Sequence, residues 1–172
     1  MCKLFETNGC GCIIKFTDID IENLVIPSEI NGETITGINR NVFSYLDKLI
    51  TVVIPNTITT IGSGAFYNCK NLKSVSIPTS VREIGECAFD GCGSLESIII
   101  PKGVEVINRW VFSRCDSLKH ISIPEGVTRI GKGAFKGCTA LESVKFKGNK
   151  SKWNAINIEN DNHVLDGKVR FY

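Results

Sequence analysis

The sequence predicts an α/β repeat solenoid in which short coils stack into a right-handed superhelix, and three observations carry that reading. Cys69, Cys92, Cys115 and Cys138 lie 23 residues apart each time, and Pro55, Pro78, Pro101 and Pro124 recur at the same interval. Leu49, Leu72, Leu95, Leu118 and Leu141, then Ile61, Ile84, Ile107 and Ile130, then Phe66, Phe89, Phe112 and Phe135 complete the frame, giving a unit LxxIxIPxxVxxIGxxAFxxCxx. A unit this short cannot close a core alone, but stacked units bury one continuous stripe. Within each unit SVSIP alternates, which is the period of a half-buried strand, so successive strands should form one parallel sheet on the concave face.

The elements follow in order. The opening LFETNGCGCIIKFTDIDIENLVIPSEING leads into a divergent first copy marked by Ile26, Pro27, Ile35, Ile38, Phe43 and Leu46. Its extra residues between Pro27 and Ile35 are expected to form a longer loop. The chain reads as a single domain over 1–172. Residues 1–48 are the N-terminal cap and divergent repeat, 49–146 four full repeats and a half repeat, and 147–172 a C-terminal cap. Val75 and Ile77 face one way and Ser74 and Ser76 the other, and the proline ends the strand because it cannot donate to a ladder. Val81 and Ile84 then return to the core across a second bend.

The next position reads Asn39, Gly62, Gly85, Asn108 and Gly131. Glycine or asparagine alone predicts a backbone held at positive φ. The AFxxC segment predicts a short 3-10 or helical turn on the convex side. Leu46 occupies the cysteine position in the first copy, so that position asks for a mid-sized apolar side chain, and the four repeated thiols are expected to be reduced and buried. Their spacing lacks the paired Cys/His grouping of zinc sites. Cys87 shares a variable column with Asn41, Gly64, Trp110 and Gly133, expected on the outer surface. It and the N-terminal Cys2, Cys10 and Cys12 should react first with alkylating reagents. In the tail, Trp153, Ile156, Ile158, Val164, Leu165, Val169 and Phe171 are available to cover the last coil, with VRFY as a closing strand.

Chemistry-bearing residues are sparse. The formal charge of +2 with signs interspersed does not demand nucleic acid or an anionic membrane. No run approaches the ~18 apolar residues of a membrane helix. MCKLFETNGC lacks the apolar stretch of a secretory leader, so the chain as it stands is expected inside the cell. NGCGC has no phosphate-loop lysine. His120 falls in a strand column otherwise reading Thr51, Ser74, Ser97 and Ser143, and His163 lies among polar tail residues. Lys145, Lys147, Lys150 and Lys152 read as the solvated edge of a strand pattern. No catalytic residue, metal or cofactor is predicted.

The segment LKSVSIPTSVREIGECAFDGC and its relatives at 95–115 and 118–138 resemble the BspA-type leucine-rich repeats, and the resemblance extends over about residues 24–149. It departs from the pattern at Trp110-Val111, where a small residue and alanine are usual. The resemblance implies a leucine-rich-repeat superhelix, binding of a protein or glycan partner, and an adhesion-like role at the cell surface if a leader has been removed. It implies neither a cofactor nor an enzymatic activity. Candidate partner contacts are Ser74, Ser76, Ser97, Ile99, His120 and Ser122 on the concave strands, and Arg109 and Trp110 on the outer side. The column Lys73, Glu96, Lys119 and Glu142 alternates in sign and is expected to set register. The alternative function is a structural spacer that binds nothing.

Overall fold

The computed structural model describes residues 4–172; Cys2 lies outside them. An antiparallel pair, Phe5–Thr7 and Cys12–Phe16, starts the stack. Every coil then contributes two short strands, each paired in parallel with its equivalent in the next coil except at one junction. The longer set runs through Asn23–Val25, Thr51–Val53 and Ser74–Ser76, and again through Ser97–Ile99, His120–Ile123, Ser143–Phe146 and Val169–Phe171. The shorter set joins Cys12–Phe16 to Gly37–Ile38, Thr60–Ile61 and Glu83–Ile84, and separately joins Val106–Ile107, Arg129–Ile130 and Asn157–Ile158. Register follows the repeat, with Thr51 opposite Ser74 and His120 opposite Ser143. The result is a β-solenoid of stacked parallel coils.

The expected single sheet of long strands is in fact two. Ser74–Ser76 and Ser97–Ile99 lie side by side but form no paired ladder, and the same lapse separates Glu83–Ile84 from Val106–Ile107. At this junction Asn108 stands where the adjoining coils have Gly85 and Gly131.

That glycine column also corrects the expectation of positive φ. Gly62, Gly85 and Gly131 are not left-handed. They are needed because the coils touch there: a Cβ would stand 2.7 Å from the Asn39 carbonyl carbon at Gly62, 2.4 Å from the Ser63 nitrogen at Gly85 and 2.6 Å from the Arg109 nitrogen at Gly131. Left-handed backbone occurs instead in the variable column, Asn41, Gly64, Cys87, Trp110 and Gly133, and four residues later at Tyr45, Asn68, Gly91, Arg114 and Gly137.

Those two residues per coil reshape the AFxxC side. It is a run of short turns, each closed by a bond three residues back such as Tyr67 N–H to the Gly64 carbonyl at 2.9 Å, rather than a continuous 3-10 or α-helix. Alternate amides point along the stack, from Phe66 to the Ala88 carbonyl at 2.8 Å, Phe89 to Val111 at 2.9 Å and Phe112 to Ala134 at 2.9 Å. Among the described residues helix is confined to the tail, as Lys150–Asn154 and the 3-10 turn His163–Leu165. Lys150 and Lys152 therefore belong to a helix, capped by the Asn149 side chain, rather than to a strand edge. The loop expected between Pro27 and Ile35 is a small hairpin, Glu29–Ile30 against Glu33–Thr34. Its turn residues Asn31 and Gly32 are both left-handed, as a two-residue Asn-Gly turn requires.

One continuous apolar cluster fills the coils. Phe43, Phe66, Phe89, Phe112 and Phe135 stack face to face with centroids 5.2–5.7 Å apart. The tail covers the last coil: Trp153 lies edge-on to the fully buried Phe146 at 5.3 Å, Val169–Phe171 adds the closing strand, and Ile156 and Leu165 are buried.

Candidate functional site

Period-2 alternation on the long strands sends Val52, Ile98, Ile121 and Val144 into the core and leaves their neighbours on an open face. In register, these neighbours become rows. One row reads Asn23, Thr51 and Ser74, then Ser97, His120 and Ser143; the other reads Val25, Val53 and Ser76, then Ile99, Ser122, Lys145 and Arg170. Val25, Val53 and Ile99 are exposed apolar members of the second row, and Ile99 is 72% exposed.

The C-terminal part of this face is a groove of about 680 Å³. It gathers four of the sequence-predicted contacts, Ser97, Ile99, His120 and Ser122, with Lys145, Arg170, Phe171 and Tyr172 from the last strands. Ser74 and Ser76 lie on the same face beyond the ladder lapse, outside the groove. The tail residues were missed because VRFY reads only as a closing strand; the signal was present in its alternation, which puts Val169 inward and Arg170 outward.

Chemically the groove offers hydroxyls, an apolar floor and positive charge. The Tyr172 hydroxyl and Ser122 Oγ are 3.1 Å apart. His120 Nδ1 lies 3.0 Å from Ser143 Oγ, and its Nε2 lies 4.0 Å from a Glu142 carboxylate oxygen. That trio is solvent-exposed and the carboxylate is beyond hydrogen-bond distance, so it orients the imidazole only loosely. Lys145 and Arg170 are direct cross-strand neighbours of like charge, and among the described residues neither forms an ion pair. The alternating column Lys73, Glu96, Lys119 and Glu142 forms no ion pairs within itself. Register is held by the backbone, with Lys119 N–H donating to the Glu96 carbonyl at 2.9 Å.

The other two predicted contacts lie elsewhere. Trp110 is on the AFxxC side, 43% exposed, with its indole 3.3 Å from where a Gly133 Cβ would stand. Arg109 pairs with Glu86 of the preceding coil at 2.8 Å.

The cysteine ladder has a function in the wall that sequence reading did not find. Cys69, Cys92, Cys115 and Cys138 are free and buried, and each thiol donates to a phenylalanine carbonyl of the preceding coil, Phe43, Phe66, Phe89 and Phe112, at 3.0–3.3 Å. A mid-sized apolar side chain would fill the space but leave that buried carbonyl without this partner. Burial pushes the Cys69 and Cys138 thiols up to about 12, and Cys92 and Cys115 well above their ordinary value. Among the described residues no group of three or more His, Cys, Asp or Glu side chains is placed to hold a metal ion, and no helix is long and apolar enough to cross a membrane.

With this geometry in view, comparison with known proteins is informative. The sequence matches the family described as BspA type leucine rich repeat region, in six copies over residues 36–162. A leucine rich cell surface protein from Faecalibacterium prausnitzii superposes with a TM-score of 0.78 at 35% identity, covering 89% of this chain and 39% of its own. A T. pallidum leucine rich repeat protein gives 0.78 at 33% identity over 84% of this chain and 70% of its own. A Eubacterium ventriosum leucine-rich repeat protein gives 0.66 at 26% identity over 81% and 38%. The chain thus spans well under half of the first relative's length. No curated protein matches the sequence.

Proposed function

Since this chain belongs to the BspA-type leucine-rich repeat family, we propose that it is a non-catalytic protein-interaction module whose strand-face groove docks an acidic segment of a partner protein. The observation that carries the reading is the pair Lys145 and Arg170. Two like charges placed opposite each other on paired strands repel, and a carboxylate laid between them relieves the repulsion while forming charge-assisted hydrogen bonds. Ile99 and Phe171 supply an apolar floor beside those charges, and Ser97, His120 and Ser122 supply hydrogen-bonding edges, the mixture expected of a specific contact patch. The Faecalibacterium relative is a cell surface protein, and display at a cell surface would suit such a module and give it an adhesion-like role.

The test is an array of acidic, basic and neutral 12-residue peptides, some pairing apolar with acidic residues, run beside acidic oligosaccharides. The wild-type chain should retain acidic-apolar peptides saturably. Retention should fall at least tenfold in K145E/R170E and in I99D, and weaken as salt rises. Retention of oligosaccharides alone would replace the protein partner with a glycan. Silence on every array, or binding indifferent to the charge reversals, would leave the spacer reading.

A further inference from the structure

Both strand ladders lapse at one junction, between the coil starting at Leu72 and the coil starting at Leu95. On the long-strand side the turn before the strand stays bonded, Ser94 N–H to the Lys70 carbonyl at 3.1 Å, but along the strand itself the remaining backbone bond, Glu96 N–H to the Lys73 carbonyl, is 3.3 Å, against 2.9 Å for its equivalents Lys73 to Ile50 and Lys119 to Glu96. On the short-strand side Arg82 donates to Thr59 and Thr128 to Glu105, both at 2.8 Å, but Glu105 makes no such bond to Arg82. Gly85 and Gly131 donate to Ile61 and Ile107 at 2.8 Å; the Asn108 backbone does not reach Ile84, and its side-chain Nδ2 takes that carbonyl at 2.7 Å instead.

The cause is the side chain at Asn108. Where glycine brings neighbouring coils to 2.4–2.7 Å of a Cβ position, a residue with a Cβ holds them apart and bridges the gap with its own amide. Asn39 and Glu159 occupy the same column and keep their backbone bonds to Ile13 and Ile130, but each lies at an end of the stack against a cap segment. Asn108 alone sits between two full coils. At the same junction a cleft on the short-strand surface is bordered by Arg82, Glu83, Glu105 and Arg129.

The third side does not open. Cys87, Phe89 and Gly91 donate across the junction to Arg109, Val111 and Ser113 at 3.2, 2.9 and 2.8 Å. Phe89 stacks on Phe112, the buried Asp90 accepts from Arg114 Nε at 2.9 Å, and Glu86 pairs with Arg109. We infer that this junction is a hinge built into the array, opening on its two strand sides and pivoting on the AFxxC side. Every residue lining the strand-face groove lies after it, from Ser97 onward, so the hinge swings the whole groove as one block relative to residues 23–94. A partner reaching from the groove to the exposed Val25 and Val53 must select one hinge angle, whereas one confined to the groove is indifferent to it.

Native-state hydrogen exchange on the full chain tests this independently of any ligand. The amides of Glu105, Val106, Asn108, Ser97 and Ile99 should exchange roughly tenfold or more faster than their equivalents one coil before and after, while those of Phe89 and Gly91 stay slow. Asn108→Gly should bring the fast set to the rate of its neighbours, and Gly131→Asn should create a second fast junction. Equal rates at all interior junctions, or fast exchange on all three sides together, would overturn the hinge, and so would a fast set unchanged in Asn108→Gly.

Discussion

Replacing Gly85 by alanine is the sharpest test of how the coils are spaced. The new methyl would stand 2.4 Å from the Ser63 nitrogen, 2.7 Å from the Gly62 carbonyl carbon and 2.8 Å from the Ser63 Cα, all backbone atoms that cannot swing aside. Reaching an ordinary contact requires the two coils to part by about 1 Å, since carbon–carbon contacts settle near ~3.5 Å or more. The Gly85 to Ile61 and Arg82 to Thr59 bonds, both 2.8 Å, would stretch beyond the ~3.2 Å limit of a good N–H···O bond. At about 1 kcal/mol per net backbone bond, with packing lost beside them and about 0.5–1 kcal/mol regained from alanine's smaller backbone entropy loss, the net cost is about 2–3 kcal/mol. Equilibrium urea unfolding measures it. Gly103→Ala is the control, because its methyl meets only Arg82 side-chain atoms, which can move, and it should lie within ~0.5 kcal/mol of wild type. If Gly85→Ala lost no more than Gly103→Ala, the argument from coil contact would be wrong.

Three further outcomes are expected. The ladder thiols are held protonated, so the folded state binds more protons than the unfolded one above the ordinary cysteine value of 9.0, and stability should fall as pH rises from there toward about 12; Cys138→Ala should reduce that decline by about 1 kcal/mol between pH 9 and 10 in paired urea titrations. Cys87 sits at φ 55° without being glycine, so Cys87→Gly should raise stability by about 0.5–1 kcal/mol, the left-handed strain removed less the added entropy loss, and a lower thermal midpoint would count against it. Removing residues 150–172 uncovers Phe146 and Val144 and should replace one cooperative unfolding transition with aggregation or a broad one, whereas an equally stable truncated chain would show that the tail is no cap.

Much of this fold was legible because a repeat states its core once per coil. The Leu, Ile, Phe and Cys columns read as apolar are the buried columns, and the parallel register follows from the period alone. What failed was the reason behind a correct observation. Glycine at Gly62, Gly85 and Gly131 was attributed to φ, but the cause is a neighbour 23 residues away, which a single unit does not contain. The left-handed column was missed for the converse reason. Trp110 and Cys87 occupy it by accepting strain, hiding the signal that Gly64 and Gly133 give. Of the groove, the serines, Ile99 and His120 could be placed from the alternation, but Arg170, Phe171 and Tyr172 join it only because the tail continues the sheet after leaving the repeat.

The distinction bears on where function can reside in such an array. Residues that obey the frame are fully engaged in stacking: their backbone groups join ladders, their apolar groups fill the core and even their thiols cap carbonyls. Specificity is left to positions that break the frame, and in this chain those positions separate in space. His120 replaces the small polar residue of its row and lies in one groove with Ile99 and Lys145 of the variable neighbouring row, whereas Asn108 replaces a glycine and loosens the junction just before it. Trp110 also breaks the frame, on the opposite side of the coil, where its half-exposed indole lies over Gly133 of the following coil. In the proposed reading the contact chemistry therefore lies on the block that follows the loosened junction, where substitutions would alter binding without disturbing the columns that hold the coils together.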